Sequence, residues 1–237
     1  RMKDTDLPYT AIVGVDEKAA ILHYPEKRHE PENGRVMLID SGAQFCGYAS
    51  DITRTHASRR ASPEFVSLLE AMNSAQQSLC DTIHAGMNFG ELFHQSHLAV
   101  GRVLLEQGVL TGVNEAEAVD EGLTTVFYPH GVSHMLGIQV HDVGSKQLDL
   151  EGTMYEKDES RPTRTVMRPI EPGHLFTVEP GLYFIDMLLS PQREGNNRGL
   201  FNWDLIDQLL PHGGIRVEDN IHVTDDRVIN LTRQYLS

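Results

Sequence analysis

The chain has 237 residues, 23% charged and 40% apolar, the profile of an ordinary globular protein with room for a sizeable core. Its formal charge of −14, with no clustered run of Lys and Arg, excludes a general nucleic-acid binder and is compatible with bound metal cations. No apolar run approaches the roughly 18 residues of a membrane-crossing helix, and the opening RMKDTDLPYT lacks a signal-peptide core, so a soluble chain with no membrane partner is expected. Cys46 and Cys80 stand in no CxxC spacing, which predicts neither a disulfide framework nor a zinc knuckle and makes a reducing cytoplasm the simplest compartment.

The first residue is Arg rather than Met, and an extended stretch begins within ten residues, which leads us to expect a preceding N-terminal portion. From Gly34 to His56, RVMLIDSGAQFCGYASDITRTH reads as two strands joined by a turn, with Gly42 and Gly47 as punctuation, Asp40 ending the first strand and Asp51 within the second. Ser62 caps a predicted helix with Pro63 at its first position; Phe65, Leu68, Leu69, Met72, Leu79 and Ile83 follow at helical spacing as far as Gly86. A second helix is predicted from about Gly90 to Gln107, with Leu92, Val100, Val103 and Leu104 on its apolar side.

After Thr125 the pattern turns to short strands and loops, and the polar residues 145–169 read as a surface excursion. GHLFTVEPGLYF from Gly173 is a buried strand and a turn, and GGIRVEDNIHVT from Gly213 is another strand. Strand, helices, strands in that order predict an α+β fold with antiparallel pairing rather than repeated βαβ units.

Two features of this layout point to chemistry. An ionised acid in an apolar strand is costly unless paired or bound to a cation, and Asp40, Asp51, Glu179 and Glu218 all lie in or beside such strands. Any one of them could be satisfied by backbone amides or an arginine, but Arg54 and Arg216 could neutralise only part of the set. The stretch PHGVSHMLGIQVHDVG carries His130, His134 and His141, three of the chain's twelve histidines, each of which alone could simply be packed. GRVMLIDSG and GHLFTVEPG share a pattern that places Asp40 and Glu179 at equivalent positions, as two copies of one strand would. A pair of divalent ions about 3.5–4 Å apart would resolve the charge problem, with bridging carboxylates serving both ions and one imidazole completing the shell. Oxygen-rich ligands with one nitrogen favour Mn²⁺, with Co²⁺ or Zn²⁺ as alternatives, and the natural chemistry is hydrolysis.

LIDSGAQFCGYASDITRTH, HGVSHMLGIQVHDVG, TVEPGLYF and GGIRVEDN, in that order, resemble the catalytic domain of the metallopeptidases that include Xaa-Pro dipeptidase (prolidase), aminopeptidase P and methionine aminopeptidase. AILHYP, SPQREG and FNWDLI bring the resemblance nearest to the bacterial Xaa-Pro dipeptidases, and it spans nearly the whole chain. It implies the pita-bread fold, two pseudo-symmetric α+β halves with a curved antiparallel sheet and outer helices around a dinuclear metal centre. It also implies a preceding N-terminal domain, a homodimer, and hydrolysis of the Xaa-Pro bond of a small peptide. The implied metal ligands are Asp40, Asp51, His134, Glu179 and Glu218, with Asp51 and Glu218 bridging. Glu179 would also accept the proton of the attacking water. His23, His130 and His141 would line the substrate pocket, contacting the carbonyl and oxyanion or passing a proton to the leaving nitrogen, while Asp142 and Arg216 would support ligands and pocket.

The sequence departs from that pattern in three places. Bacterial Xaa-Pro dipeptidases usually carry a Leu-Arg pair upstream of the EPG glutamate whose Arg holds the dipeptide's carboxylate; here Thr165 stands in its place, and Arg164 beside it is the replacement candidate. Phe89 stands where relatives that hydrolyse organophosphate esters have a pocket-lining Tyr, which lowers the expectation of that side activity. Ser133 replaces a glycine, in a form familiar from aminopeptidase P, so cleavage of longer peptides is the alternative reading. A non-catalytic binding protein on the same fold is a third, disfavoured because every ligand acid is present.

Overall fold

The computed structural model describes residues 7–26, 34–145, 147, 149, 151–154 and 168–236. Among the described residues, ten short strands and seven α-helices alternate with single 3-10 turns, and every strand pair is antiparallel. Strand β1 (Ile12–Val15) pairs with β2 (Val36–Ser41), and β2 with β5 (Ile52–Ala57), in the register Ile12↔Asp40↔Thr53. Between β2 and β5 the expected turn is itself a small hairpin, β3 (Gln44–Phe45) and β4 (Tyr48–Ala49), whose tip residues Cys46 and Gly47 both have positive φ. Asp51 accordingly lies one residue before β5 rather than within it.

Helix α1 (Pro63–Asp81) starts as its sequence dictates, with Pro63 at the first position and the Ser62 hydroxyl accepting the Phe65 N–H at 3.2 Å. It ends at Asp81, five residues before Gly86, and is followed by the C-cap Thr82, whose hydroxyl donates to the Leu79 carbonyl at 2.8 Å. Helix α2 (Phe89–Glu106) is capped by Asn88, whose side chain accepts the Gly90 N–H at 2.7 Å. Two short helices, α3 (Glu115–Asp120) and α4 (Leu123–Phe127), follow where the apolar periodicity is too brief to announce them; α3 carries a capping box between Asn114 and Glu117.

The second sheet is built from β6 (Leu175–Val178), β9 (Asp219–Val223) and β10 (Val228–Asn230), while β7 (Gly181–Tyr183) pairs with β8 (Gly214–Arg216). Helices α5 (Asp186–Leu189) and α6 (Trp203–Leu209) connect β7 to β8, and α7 (Leu231–Tyr235) follows β10. GGIRVEDNIHVT is therefore two strands, broken at Val217–Glu218, because β8 and β9 pair with different partners. One apolar cluster packs α1, α2 and α4 against β2 and β8; a second joins the end of α1 and the start of α2 to β6, β9 and the stretch around Val132. Among the described residues neither Cys46 nor Cys80 forms a disulfide, and no helix is long and apolar enough to cross a membrane. Most of the expected surface excursion, including residues 155–167, lies outside the described residues.

Candidate metal centre

Each of the two three-stranded sheets delivers one acid at or just past a strand end and one immediately before the strand it pairs with. Asp40 sits near the end of β2, and Asp51 precedes β5; Glu179 follows β6, and Glu218 precedes β9. Strand β5 is tied to the β8–β9 stretch by the Glu218 N–H donating to the Thr53 carbonyl (3.1 Å) and by the Arg216 N–H donating to the Thr55 hydroxyl (3.0 Å). The chain around His134 runs beside β6, with the Thr177 N–H donating to the His134 carbonyl at 3.0 Å and the Thr177 hydroxyl accepting the His134 N–H at 3.1 Å.

The resulting centre fits divalent cations. His134 Nδ1 faces the Met135 carbonyl at 3.2 Å, which turns Nε2 toward the acids, where it shares a proton with Asp51 in the metal-free centre and becomes an electron-pair donor once a cation displaces that proton. That Nε2 lies 3.4 Å from Asp51, 3.6 Å from Glu179 and 3.9 Å from Glu218. Ligand atoms of His134, Glu179 and Glu218 fall within 4.8 Å of one another, as do those of Asp40, Asp51 and Glu218, so Glu218 belongs to both groups. A third such group joins Asp51 and His134 to His141, whose ring meets that of His134 edge-on with centroids 4.2 Å apart.

Among the described residues, the only guanidinium paired with one of these four carboxylates is that of Arg216, whose NH2 donates to Asp40 Oδ2 at 2.6 Å. Its Nε donates to the Thr53 hydroxyl (3.1 Å), which in turn donates to Glu218 Oε2 (2.6 Å). Arg54 is spent behind the site, on the carboxylate of Asp219 and the backbone carbonyl of Glu218. With a shortage of positive charge the protons stay on: burial raises the carboxyl of Glu179 to about 7 and pushes Glu218 well above the ordinary carboxylate range. Burial also raises Asp40 despite Arg216, whereas at Asp51 hydrogen bonds from His134 and Tyr9 prevail over burial and lower it.

A cavity of about 300 Å³ opens over the acids, and its walls include His23, His130, Ser133, His134, His141, Asp142 and Arg216. His23 and His141 are exposed at its rim. His130 is engaged at both ring nitrogens, Nδ1 with the Gly131 carbonyl (2.8 Å) and Nε2 with the Tyr183 hydroxyl (2.8 Å), and burial together with Arg216 pushes its imidazole down to about 3, so it is neutral. Tyr183 also accepts from Arg216 NH1 at 3.2 Å, linking His130 to Asp40. The Asp142 carboxylate accepts the Gly144 N–H at 3.1 Å and lies against Gly137, where a Cβ would come within 2.3 Å of Asp142 Oδ2.

The structure thus gathers Asp40, Asp51, His134, Glu179, Glu218, His23, His130, His141 and Arg216 around one cavity. Arg164 and Thr165 lie outside the described residues. Phe89 is buried, packed edge-on against Phe176 with centroids 4.9 Å apart, and lies outside the cavity wall, because the first turn of α2 faces the second apolar cluster. Sequence reasoning missed Tyr9, Tyr183 and Thr53. Tyr183 stands four residues past Glu179, inside TVEPGLYF, and was open to recognition; nothing in the sequence announces Tyr9.

Comparison with known proteins points the same way. The metallopeptidase family M24 profile matches residues 1–225. The Xaa-Pro dipeptidase of Proteus mirabilis is 46% identical over 232 residues, which are 98% of this chain and 52% of that protein. The Xaa-Pro dipeptidase of Yersinia pseudotuberculosis is 44% identical over the same proportions, so the chain spans about half the length of the curated relatives it matches. Among solved structures, Zn-substituted Escherichia coli aminopeptidase P in complex with product superposes with a TM-score of 0.73 at 28% identity, covering 98% of this chain and 45% of that one. Pseudomonas aeruginosa aminopeptidase PepP gives the same TM-score and identity over 97% of this chain and 45% of its own. From residue 1 to 225, with the acids and His134 gathered at one cavity, the chain belongs to metallopeptidase family M24.

Proposed function

We propose that this chain is the catalytic part of a metal-dependent Xaa-Pro dipeptidase. The observation that carries the reading is the convergence of His134 Nε2 with the carboxylates of Asp51, Glu179 and Glu218, in a chain 46% identical to a protein of that name. Asp51 and Glu218 would bridge two divalent ions, Asp40 would complete one and His134 with Glu179 the other. Manganese suits this oxygen-rich set, with cobalt or zinc as alternatives; when bound, such a pair activates water as a nucleophile and polarises the scissile carbonyl.

The protein's own groups supply the rest. Glu179, whose carboxyl titrates near neutrality, accepts the proton of the attacking water. His141 and His23, at the rim, are the donors placed to reach the substrate carbonyl and the leaving proline nitrogen. Neutral His130, held by Tyr183 and Gly131, shapes the wall and meets substrate only by exchanging one of those partners. Arg216, tied to Asp40, Thr53 and Tyr183, keeps one ligand in place while presenting an edge to the cavity.

The matching positions of Asp40 and Glu179, each followed across its sheet by a second acid, support two pseudo-symmetric halves of a pita-bread domain. The whole protein would carry a further domain before this one and act in the cytoplasm as a homodimer. A second reading, removal of an N-terminal residue before proline from longer peptides, is favoured by Ser133 in the cavity wall and by the aminopeptidase P structures that superpose on this chain. The test is a panel of Ala-Pro, Leu-Pro and Xaa-Pro-Xaa tripeptides, with and without Mn²⁺, on the full-length protein. Mn²⁺-stimulated dipeptide cleavage that disappears in His134→Ala is expected; preference for tripeptides would favour the second reading, and no metal-stimulated cleavage of either would sink both.

A further inference from the structure

Tyr9 lies three residues before β1, in a segment that forms no strand, yet it reaches the centre of the acid cluster. Its hydroxyl is 2.6 Å from Asp40 Oδ1 and makes a second, short contact with Asp51 Oδ1. The ring passes over Gly42, where an added Cβ would stand 2.9 Å from Tyr9 Cε1 and 1.9 Å from the Ser50 carbonyl oxygen, so only glycine leaves room for it. On the far side of the same acids, Arg216 holds Asp40 Oδ2, and Asp51 Oδ2 faces His134 Nε2 at 3.4 Å.

We infer that Tyr9 is a positioning residue of the metal centre: by bridging one oxygen of Asp40 and one of Asp51, its phenol fixes the rotation of both carboxylates and thereby sets the affinity for divalent cations. The physical reason is the like charge of the two acids. Without a donor between them they relieve their repulsion by turning apart, and a cation must then spend part of its binding free energy to draw them back. Partners that orient metal ligands in this way typically change metal affinity by about 10–100-fold when removed. The inference rests on the metal reading above and adds to it a residue outside the ligand set.

The test is titration of the metal-free full-length protein with Mn²⁺ by calorimetry, comparing wild type with Tyr9→Phe and Tyr9→Ala, with folding checked by circular dichroism. Tyr9→Phe keeps the ring over Gly42 and removes only the hydroxyl. We expect its Mn²⁺ dissociation constant to rise about tenfold or more, with Tyr9→Ala at least as weak. Wild-type affinity in Tyr9→Phe would overturn the inference, and so would a loss confined to Tyr9→Ala, which would assign the effect to ring packing. If wild type itself bound no Mn²⁺, the metal reading would fall instead, so the two failures are told apart.

Discussion

Asp219 stands between a candidate metal ligand, Glu218, and Asn220, whose side-chain amide pairs with the backbone of Asp51; the consequence of replacing it by asparagine can be worked out from its partners. Its side chain is fully buried and accepts from Arg54 NH2 (2.5 Å), Arg233 Nε (2.9 Å) and Asn230 Nδ2 (2.8 Å). Asp219→Asn keeps the shape but removes the charge and turns one acceptor into a donor, leaving two guanidiniums facing a neutral group. Removing one partner of a fully buried pair costs about 3–5 kcal/mol; because the side chains of Arg54 and Arg233 remain 24% and 30% exposed, water recovers part of this and the low end, about 3 kcal/mol, applies. For 237 residues unfolding with about 2.1 cal/mol/K each, the melting temperature falls by about 6 °C. The pH dependence has a definite sign. Burial alone would raise the carboxyl of Asp219, but Asn230, Arg54 and Arg233 hold it below its ordinary value of 3.8. Its contribution is therefore present above that value and lost as pH falls through the depressed one, and the variant should lose less stability on acidification than wild type. Thermal and urea unfolding of metal-free protein between neutral pH and pH 3 measures both. A loss below about 1 kcal/mol at neutral pH, or an unchanged acid limb, would refute this reading of Asp219 as the shared buried partner of Arg54 and Arg233.

Two further outcomes follow from the geometry. Cations must displace protons from Glu179, near 7 by burial, and from Glu218, raised further, so the apparent Mn²⁺ affinity should climb steeply from pH 6 to pH 8, with proton release seen when calorimetry is repeated in buffers of different ionisation enthalpy; a flat profile would contradict the protonated acids described here. Asp16, buried at a positive φ of 53°, accepts the backbone N–H groups of Gly34 (2.8 Å), Arg35 (2.6 Å) and Val36 (3.1 Å), so Asp16→Ala should cost about 3 kcal/mol in chemical denaturation through the entry into β2, and wild-type stability would show those donors finding water instead.

Much of the site was legible because its chemistry is local. Asp40, His134, Glu179 and Glu218 announce themselves as charged or imidazole groups among apolar strand residues and glycines, where only a partner or a cation offsets burial. The start of α1 was legible for the same reason, since Ser62 caps a neighbouring amide ahead of Pro63, whereas α2 was legible from its apolar spacing and its Asn88 cap was not recognised. The short helices α3–α7 and the break between β8 and β9 were not, because four to seven residues hold too little periodicity and a strand break reflects partners distant in sequence. The surroundings of the acids were equally hidden: Arg54 and Arg216 look equivalent in sequence, yet of the two only Arg216 reaches the carboxylate of a candidate ligand, Asp40, while Arg54 turns to the Asp219 carboxylate and the Glu218 backbone carbonyl.

The sequence by itself determined the inventory: an α+β chain with antiparallel strands, four acids and one histidine in a fixed order, and the glycines that let the backbone pass close to them. Tertiary structure decided who meets whom. It brought Asp51 and Glu218 together across 167 positions through the Thr53–Glu218 backbone bond, placed Tyr9 between two carboxylates, satisfied both nitrogens of His130 and withdrew Phe89 into the core. The physical reason is range. Burial cost and capping act over a few residues and leave a mark in the local pattern, whereas the direction of a side chain is set by packing between strands whose separation along the chain carries no signal.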